Sequence, residues 1–169
     1  MSWRKERSWR KFCAVESEPC GMKITEVKDN KKQYLPLLLL ADEQENMIDR
    51  YLEKGTMYVL EDQGIKGECV VLDVGDEILE IKNLAVEPGY QKNGYGKALI
   101  DYLVRTYAGQ YKYLQAGTGD SPLTVPFYEK CGFVRSHRIP GFFTDYYDHP
   151  IWEGGVLLVD MVYFRKALK

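Results

Sequence analysis

The sequence predicts an α/β fold in which helices flank a mixed central sheet. Two observations carry this prediction. Strand-length runs of apolar or alternating residues recur along the chain, and amphipathic helical patterns separate several of them. The 169 residues suffice for one core, and a composition of 45% hydrophobic and 28% charged residues is typical of a globular domain.

The first half of the chain predicts a strand, two helices and a hairpin. Residues 22–27 alternate like a short strand, and Pro36 suits the first turn of an apolar helix. Asp42 can cap a second helix, which Gly55 can end. A hairpin then turns through Asp62-Gln63-Gly64. Its strands are residues 56–61 and 65–74.

The second half predicts strands that alternate with helices. A strand over residues 77–86 leads into a glycine-bearing loop, and the helix after it carries apolar residues at helical spacing as far as Tyr107. Another strand begins after Gly132. The remaining predicted elements are a strand over 113–118, a short helix over 124–130 and a final apolar strand over 155–165.

Composition and charge limit the partners that we expect. The net charge of −2 and the pI of about 5.8 supply no basic field, so no nucleic-acid partner is predicted. The longest aliphatic run, residues 37–41, is far too short to span a membrane, and no membrane partner is predicted. Four scattered cysteines and two histidines form no zinc-binding pattern, which predicts reduced thiols, a cytoplasmic protein and no metal.

The amino-terminal segment differs from the rest of the chain. Residues 1–21 interleave tryptophans with arginines and lysines, and no apolar run follows them. We expect a poorly ordered extension there and a single domain over residues 22–169. An arm that contacts a membrane surface or nucleic acid is the alternative interpretation.

The segment from Leu79 to Ala108 is the most informative part of the sequence. An extended run meets the loop Gln91-Lys92-Asn93-Gly94-Tyr95-Gly96, and a helical pattern follows. N–H groups in the first turn of a helix lack intrahelical partners, and the helix dipole favours negative charge there. Gly94 and Gly96 lack a Cβ atom, so phosphate oxygens could approach the main chain. The loop therefore predicts a site for a phosphorylated ligand.

The loop does not by itself identify the ligand. Lys97 is followed by Ala98, so the ending of a Walker loop is absent, and Leu99 stands where a dinucleotide-binding turn has its third glycine. A tight strand-to-helix turn without a ligand is the alternative.

Two motifs together resemble the GNAT superfamily of N-acetyltransferases. The first is Asn83-Leu84-Ala85-Val86, followed by Pro88 and by Gln91-x-x-Gly94-x-Gly96; the second is Phe127-Tyr128-Glu129-Lys130-x-Gly132-Phe133. The resemblance covers residues 22 to the carboxyl terminus and is closest to small bacterial members of undefined substrate. It implies a GNAT fold, with a mixed sheet of about six to seven strands, about four helices and a splayed strand pair at the coenzyme A site.

The resemblance implies that acetyl-CoA is the donor substrate. Backbone N–H groups of the loop would hold the pyrophosphate, and the exposed edge of the preceding strand would pair with the pantetheine arm. An N–H near Ala85 or Val86 would polarise the thioester carbonyl. Asp120 stands where many members have an asparagine, and Lys92 replaces an arginine. The residues assigned to this ligand are Leu84, Ala85, Val86, Gln91, Lys92, Asn93, Gly94, Tyr95, Gly96 and Asp120.

The resemblance also implies two catalytic residues. Tyr128 aligns with the tyrosine that protonates the departing thiolate, and Glu80 matches the glutamate base of the histone-acetylating members. Weaker candidates for the base are Glu77, Asp145 and His149. A covalent route through Cys131 is disfavoured, because no histidine is spaced to activate it.

The implied reaction is direct transfer of acetyl to a primary amine in a ternary complex. Acidic and aromatic residues crowd the stretch from Pro140 to Gly155, which suits a cationic amine with an apolar body. A homodimer is expected from the family alone. The alternative function is a non-catalytic acyl-CoA-binding sensor or interaction module, which a pocket plugged by Trp152 or Phe143 would favour.

Overall fold

A computed structural model describes residues 21–168 of the chain, and seven strands within this range form one sheet. The strands of the structure, including a separate two-stranded hairpin, are β1 Lys23–Val27, β2 Thr56–Glu61, β3 Ile65–Asp73, β4 Ile78–Val86, β5 Tyr113–Gly119, β6 Val134–Ile139, β7 Trp152–Glu153, β8 Val156–Leu157 and β9 Met161–Ala167. The α-helices are α1 Leu35–Ala41, α2 Glu45–Asp49, α3 Tyr95–Tyr107, α4 Val125–Lys130 and α5 Phe142–Tyr146.

The sheet has the order β1-β2-β3-β4-β5-β9-β6. Its β4–β5 pair is parallel, whereas the other neighbouring strands run antiparallel, so the predicted mixed α/β sheet is confirmed. The connection between the parallel strands contains α3, as parallel pairing requires a long crossover.

The parallel strands separate halfway along their length. Ile78–Ile81 of β4 pair with Tyr113–Ala116 of β5, and the register continues no further. Beyond this point β5 pairs with β9, while Asn83–Val86 of β4 pair with β3 alone among the described strands. A bulge accompanies the separation, because Val70 pairs with Asn83 and Val71 with Ile81. We refer to this opening as the gap.

Two hydrophobic clusters cover the two faces of the sheet. Leu99, Ile100 and Leu103 of α3 are fully buried in the cluster that also contains Tyr128 of α4. On the opposite face, Leu38 and Ile48 from the first two helices pack with Met57, Val59 and Val70 of the sheet. The helical faces predicted from apolar spacing therefore lie against the core.

The carboxyl-terminal part differs from the prediction. The expected strand over 155–165 is wrong in its extent: β8 pairs with β7 across Gly154 and Gly155, whose φ angles of 59° and 79° make a tight turn. Asp160 interrupts the run because its carboxylate accepts hydrogen bonds from the Gly141 N–H and from Arg138. Ahead of β7, α5 occupies part of the stretch from Pro140 to Gly155, for which the sequence pattern predicts no helix.

Asp42 does not cap the second helix as predicted. Gln44 occupies the N-cap position of α2, while Asp42 follows the last residue of α1. Apart from Gly21, the predicted extension over residues 1–21 lies outside the described residues. Within the part of the chain that the structure describes, we find no helix long and apolar enough to cross a membrane.

Candidate active site

The open edge of β4 supplies backbone groups to the gap. The Glu87 N–H donates to the Lys66 carbonyl oxygen at 2.8 Å, so these residues form a hydrogen-bonded antiparallel pair. Because bonded and non-bonded pairs alternate, the peptide groups of Ala85 face β3, whereas those of Leu84 and Val86 face the gap. Of the two N–H groups predicted to polarise a thioester, only that of Val86 therefore points into the gap.

The glycine loop ends at a left-handed residue and a free helix terminus. Gly94 has a φ of 85° and occupies the N-cap position of α3. The first helical hydrogen bond runs from the Ala98 N–H to the Gly94 carbonyl at 2.9 Å, so the N–H groups of Tyr95, Gly96 and Lys97 precede the helical ladder. These donors and the helix dipole suit a negatively charged group, as the predicted phosphate site requires.

The two glycines of the loop serve different purposes. A Cβ atom added at Gly94 would meet no atom within 4 Å, so open space surrounds it. A Cβ at Gly96 would lie 3.0 Å from the Phe127 ring. Gly96 therefore allows α3 to pack closely against α4, and the expectation that both glycines leave room for phosphate applies to Gly94 alone.

Side chains of the loop hold its shape. The Gln91 side-chain amide donates to the Val86 carbonyl at 3.2 Å, and the Asn93 amide donates to the Tyr90 carbonyl at 3.1 Å. The Tyr95 hydroxyl donates to Asp62 at 2.8 Å and fixes α3 against the β2–β3 turn. These contacts leave the main chain of the loop as the surface offered to a ligand.

The two charged residues assigned to the ligand, Lys92 and Asp120, are both exposed. Lys92 lies in the middle of the loop with a left-handed φ of 65°. Asp120 pairs with Arg135 at 3.2 Å and with Arg138 at 3.8 Å. The Asp120 carboxylate is thus paired with two arginines of β6, and its predicted contact with pantetheine stays a prediction.

Tyr128 lies in a tightly packed aromatic environment. Its ring makes edge-to-face contacts with Phe127 and Phe133, at centroid distances of 5.1 and 5.4 Å, and stacks on Phe164. Burial raises the pKa of the Tyr128 hydroxyl well above its usual value, and the nearby Cys131 thiol adds to this effect. The hydroxyl therefore carries its proton at neutral pH, as a proton donor must.

Glu80 is buried with both carboxylate oxygens engaged. Its Oε2 pairs with the Lys82 Nζ at 2.9 Å, and its Oε1 accepts a hydrogen bond from the Gln115 side-chain amide at 3.1 Å. Gln115 in turn accepts from Arg165 at 2.8 Å. Glu80 belongs to the paired part of β4, immediately before the gap.

The weaker candidates for the base lie elsewhere. Glu77 precedes β4, at the end of the strand opposite to the gap. Asp145 is exposed on α5. Burial raises the pKa of the Cys131 thiol, which opposes formation of the thiolate that a covalent route needs.

A polar network that sequence reasoning missed joins the gap to the surface. The Asn83 side-chain amide donates to the Tyr51 hydroxyl at 2.9 Å and to the Leu38 carbonyl at 3.0 Å. The Tyr51 hydroxyl donates to Asp42 Oδ2 at 3.3 Å, and the Tyr147 hydroxyl donates to Asp42 Oδ1 at 2.8 Å. Asn83 was visible in the first motif, but nothing in the sequence pattern linked it to residues so distant along the chain.

Two buried polar groups near this network lack hydrogen-bond partners among the described residues. They are the Asn83 Oδ1 atom and both carboxyl oxygens of Glu68. Glu68 is opposite Ala85 on β4 and is fully buried. Burial raises the pKa of Glu68 well above its usual value and so favours the neutral acid, and the Ala85 N–H opposes this shift only in part.

A strap, which we define as residues 147–149, closes over this face. Tyr147 contacts Asp42, the Asp148 N–H donates to the Gln44 side chain at 3.2 Å, and His149 pairs with Glu43 at 3.6 Å. A cavity of about 270 Å³ lies beside the strap. Its walls are Phe143, Thr144, Tyr147, Asp148, His149, Pro150, Ile151, Leu157 and Leu158.

The separated strands, the N–H groups at the start of α3 and the buried tyrosine of α4 together fit the acyl-transfer class of protein that the two sequence motifs predict. The family model for the GNAT acetyltransferase domain matches residues 53–135. YvbK, described as an uncharacterized N-acetyltransferase of Bacillus subtilis strain 168, is 33% identical over 138 residues, which cover 80% of this chain and 89% of YvbK.

Solved structures agree with the family. A GNAT family acetyltransferase of Elizabethkingia anophelis with acetyl-CoA bound is 33% identical, with a TM-score of 0.83 over 89% of this chain and 100% of that one. An acetyltransferase of Bacillus subtilis in complex with CoA is 32% identical, with a TM-score of 0.79 over 88% and 99% of the two chains. The chain therefore belongs to the GNAT acetyltransferase family and is an acyltransferase.

Proposed function

We propose that this protein is an N-acetyltransferase that moves the acetyl group of acetyl-CoA to a primary amine while both substrates are bound. The single observation that carries the proposal is the continuity of the open β4 edge with the glycine loop and the α3 terminus. One short segment can thereby hold the thioester, the pantetheine arm and the pyrophosphate of the same donor.

The donor is acetyl-CoA, which agrees with the acetyl-CoA and CoA bound by two solved relatives. The N–H groups at the start of α3 suit its pyrophosphate, since main-chain donors need no side-chain ordering. The peptide groups of Leu84 can pair with a pantetheine amide as a neighbouring strand would. The Val86 N–H then suits polarisation of the thioester carbonyl.

Tyr128 serves as the proton donor in this proposal. The amine nitrogen attacks the thioester carbon, and the resulting tetrahedral intermediate expels the CoA thiolate. Tyr128 keeps its proton until a strong base such as this thiolate forms beside it, because burial raises the pKa of its hydroxyl. Cys131 plays no covalent part, in keeping with its raised pKa.

The predicted base, Glu80, is less well supported by its surroundings. Its carboxylate is already neutralised by Lys82 and hydrogen-bonded to Gln115, so it gains little from binding a second cation. These contacts suit a residue that braces β4 against β5. Glu80 as the base stays a prediction, and so do the cytoplasmic location and the homodimer.

A non-catalytic acyl-CoA-binding module is the alternative. A pocket plugged by Trp152 would favour it, but this side chain is 63% exposed. Phe143 is buried against Ile151 and Leu158 and forms one wall of the cavity. The cavity therefore keeps space for an acceptor.

A thiol-release assay with a broad amine panel tests the proposal. Acetyl-CoA and each amine are incubated with the protein, and both free CoA and the mass of the acetylated product are measured. We expect amine-dependent release of CoA with a matching N-acetyl product. Tight binding of CoA without transfer to any amine would instead establish the sensor.

A further inference from the structure

We propose that Asp42 binds the ammonium group of the acceptor and takes its proton, and that Tyr51 and Tyr147 are positioning residues for this carboxylate. This inference rests on the proposed function and names the group that activates the amine. Three separate parts of the chain meet at Asp42. Tyr51, which lies between α2 and β2, and Tyr147 of the strap donate hydrogen bonds to it, and Asn83 of β4 is connected to it through Tyr51.

The network places Asp42 near the reacting centre. Asn83 lies in the part of β4 that does not pair with β5, next to Leu84, whose peptide group faces the gap. Two successive hydrogen bonds, from Asn83 to Tyr51 and from Tyr51 to Asp42, connect that strand with the carboxylate. An amine held by Asp42 therefore lies on the side of the gap opposite to α4 and its proton donor, since Tyr128 belongs to the cluster on the other face.

The carboxylate has capacity for a cation. Its two oxygens offer about four lone-pair sites, of which the phenols take two and the Gln44 N–H takes another. Both phenols are neutral, so Asp42 differs from Glu80, whose charge is paired with Lys82. Burial raises the pKa of Asp42, which makes it a better proton acceptor than an exposed aspartate.

The surroundings of Asp42 indicate the class of acceptor. Tyr147 both contacts Asp42 and lines the 270 Å³ cavity, whose other walls include Phe143, Ile151 and Leu158. A carboxylate beside aromatic and aliphatic walls suits a small amine with a positive head and an apolar body. The Asn83 Oδ1 atom, buried without a partner, leaves a further acceptor for an N–H donor near the same network.

The transfer converts one ammonium and one thioester into one amide, one thiol and one proton. The ammonium gives one proton to Asp42, and the freed lone pair forms the C–N bond as the thioester carbon becomes tetrahedral. The C–S bond then breaks and the thiolate takes the Tyr128 proton. The nitrogen gives its second proton to the Tyr128 phenolate, which restores the phenol. Asp42 finally releases its proton to solvent, so each turnover frees one proton.

The pH dependence of kcat/KM tests the inference. Other titratable or charged groups around Asp42 are Lys82 on β4, Glu43 beside it, Tyr51, and Tyr147, Asp148 and His149 of the strap. We expect the rate to rise with pH through the raised pKa of Asp42. We call this rise the acidic limb of the pH profile. In Asp42→Asn the acidic limb disappears and kcat/KM falls by about 10²–10⁴-fold, the usual contribution of a general base.

Two comparison variants sharpen the result. Asp49→Asn is the matched control, because Asp49 is an exposed acid paired with Lys32, and it keeps both the rate and the limb. Glu80→Gln lowers the rate only through loosened packing and keeps the limb. Loss of the limb in Glu80→Gln, with its retention in Asp42→Asn, overturns the inference and leaves the proposed function intact.

A second experiment tests the inference if the Asp42→Asn protein does not fold. The double variant Tyr51→Phe and Tyr147→Phe keeps the carboxylate but removes two donors to its charged form. The limb must then move to higher pH, because the ionised carboxylate loses hydrogen bonds. An unmoved limb refutes the assignment, whereas a wild-type protein inactive with every amine refutes the proposed function together with the inference.

Discussion

Replacing Gly94 by alanine tests the geometry of the glycine loop. The φ of 85° at this residue is left-handed, and an L-residue there brings its Cβ too close to the following carbonyl oxygen, at a cost of roughly 1–2 kcal/mol. No atom lies within 4 Å of the added Cβ, so no packing clash enlarges the loss. For a chain of this size, each 1 kcal/mol lowers Tm by about 2–4 °C.

Gly89→Ala is the matched control. A Cβ at Gly89 also meets no atom within 4 Å, and its φ lies outside the left-handed region. Alanine at such a position commonly stabilises by about 0.4–1 kcal/mol, because it restricts the unfolded chain. Thermal unfolding of both variants should therefore show a lower Tm for Gly94→Ala and an unchanged or higher Tm for Gly89→Ala. Equal Tm values would refute the argument from backbone conformation.

The same substitution reports on the ligand. The open space at Gly94 adjoins the free N–H groups of α3, so a methyl group there intrudes on the phosphate site. We expect calorimetry to show CoA affinity reduced by about tenfold, which corresponds to 1.4 kcal/mol. Gly89→Ala should bind CoA normally. Unaltered affinity in Gly94→Ala would mean that the pyrophosphate lies elsewhere.

Three further outcomes are expected. Tyr128→Phe should lower kcat by about 10²–10⁴-fold without weakening acetyl-CoA binding, and an unchanged kcat would remove Tyr128 from the mechanism. Phe164→Ala should lower the free energy of unfolding by about 3–5 kcal/mol in urea titrations, because this ring is fully buried; a loss below 1 kcal/mol contradicts its place in the core. A hydrogen bond with Asp148 raises the pKa of His149 above 6.5. Charged His149 therefore stabilises the strap fully below pH 6.5, and this stabilisation is lost as pH rises through the raised pKa. Amide exchange in the strap, compared with His149→Gln at each pH, should show this loss of protection; identical profiles would contradict it.

Local patterns in the sequence were sufficient for much of the fold. Apolar spacing located α3 and its buried face, and the glycine of the hairpin turn located β2 and β3. The paired motifs implied the GNAT family, the fold and the donor, and the structural and sequence relatives confirm the family. The extent of the final strand is wrong because apolar residues flank Asp160 on both sides, and the pattern does not show that Asp160 binds the Gly141 N–H or that Gly154 and Gly155 form a turn.

The site depends on contacts that local patterns do not encode. The direction of the β4 peptide groups follows from the register with β3, which removed Ala85 from the predicted donors to the gap. The packing role of Gly96 depends on Phe127, from the second motif. Asp42 and Tyr147 are 105 residues apart, and only the tertiary fold brings their side chains together.

Direct transfer between two bound substrates is tested most directly by initial rates. Acetyl-CoA and the amine identified in the panel are varied together, and the double-reciprocal lines are compared. Intersecting lines, with no acetylated protein detected by mass spectrometry when the amine is omitted, are the result that the ternary mechanism predicts. Parallel lines with an acetyl group on Cys131 would contradict it.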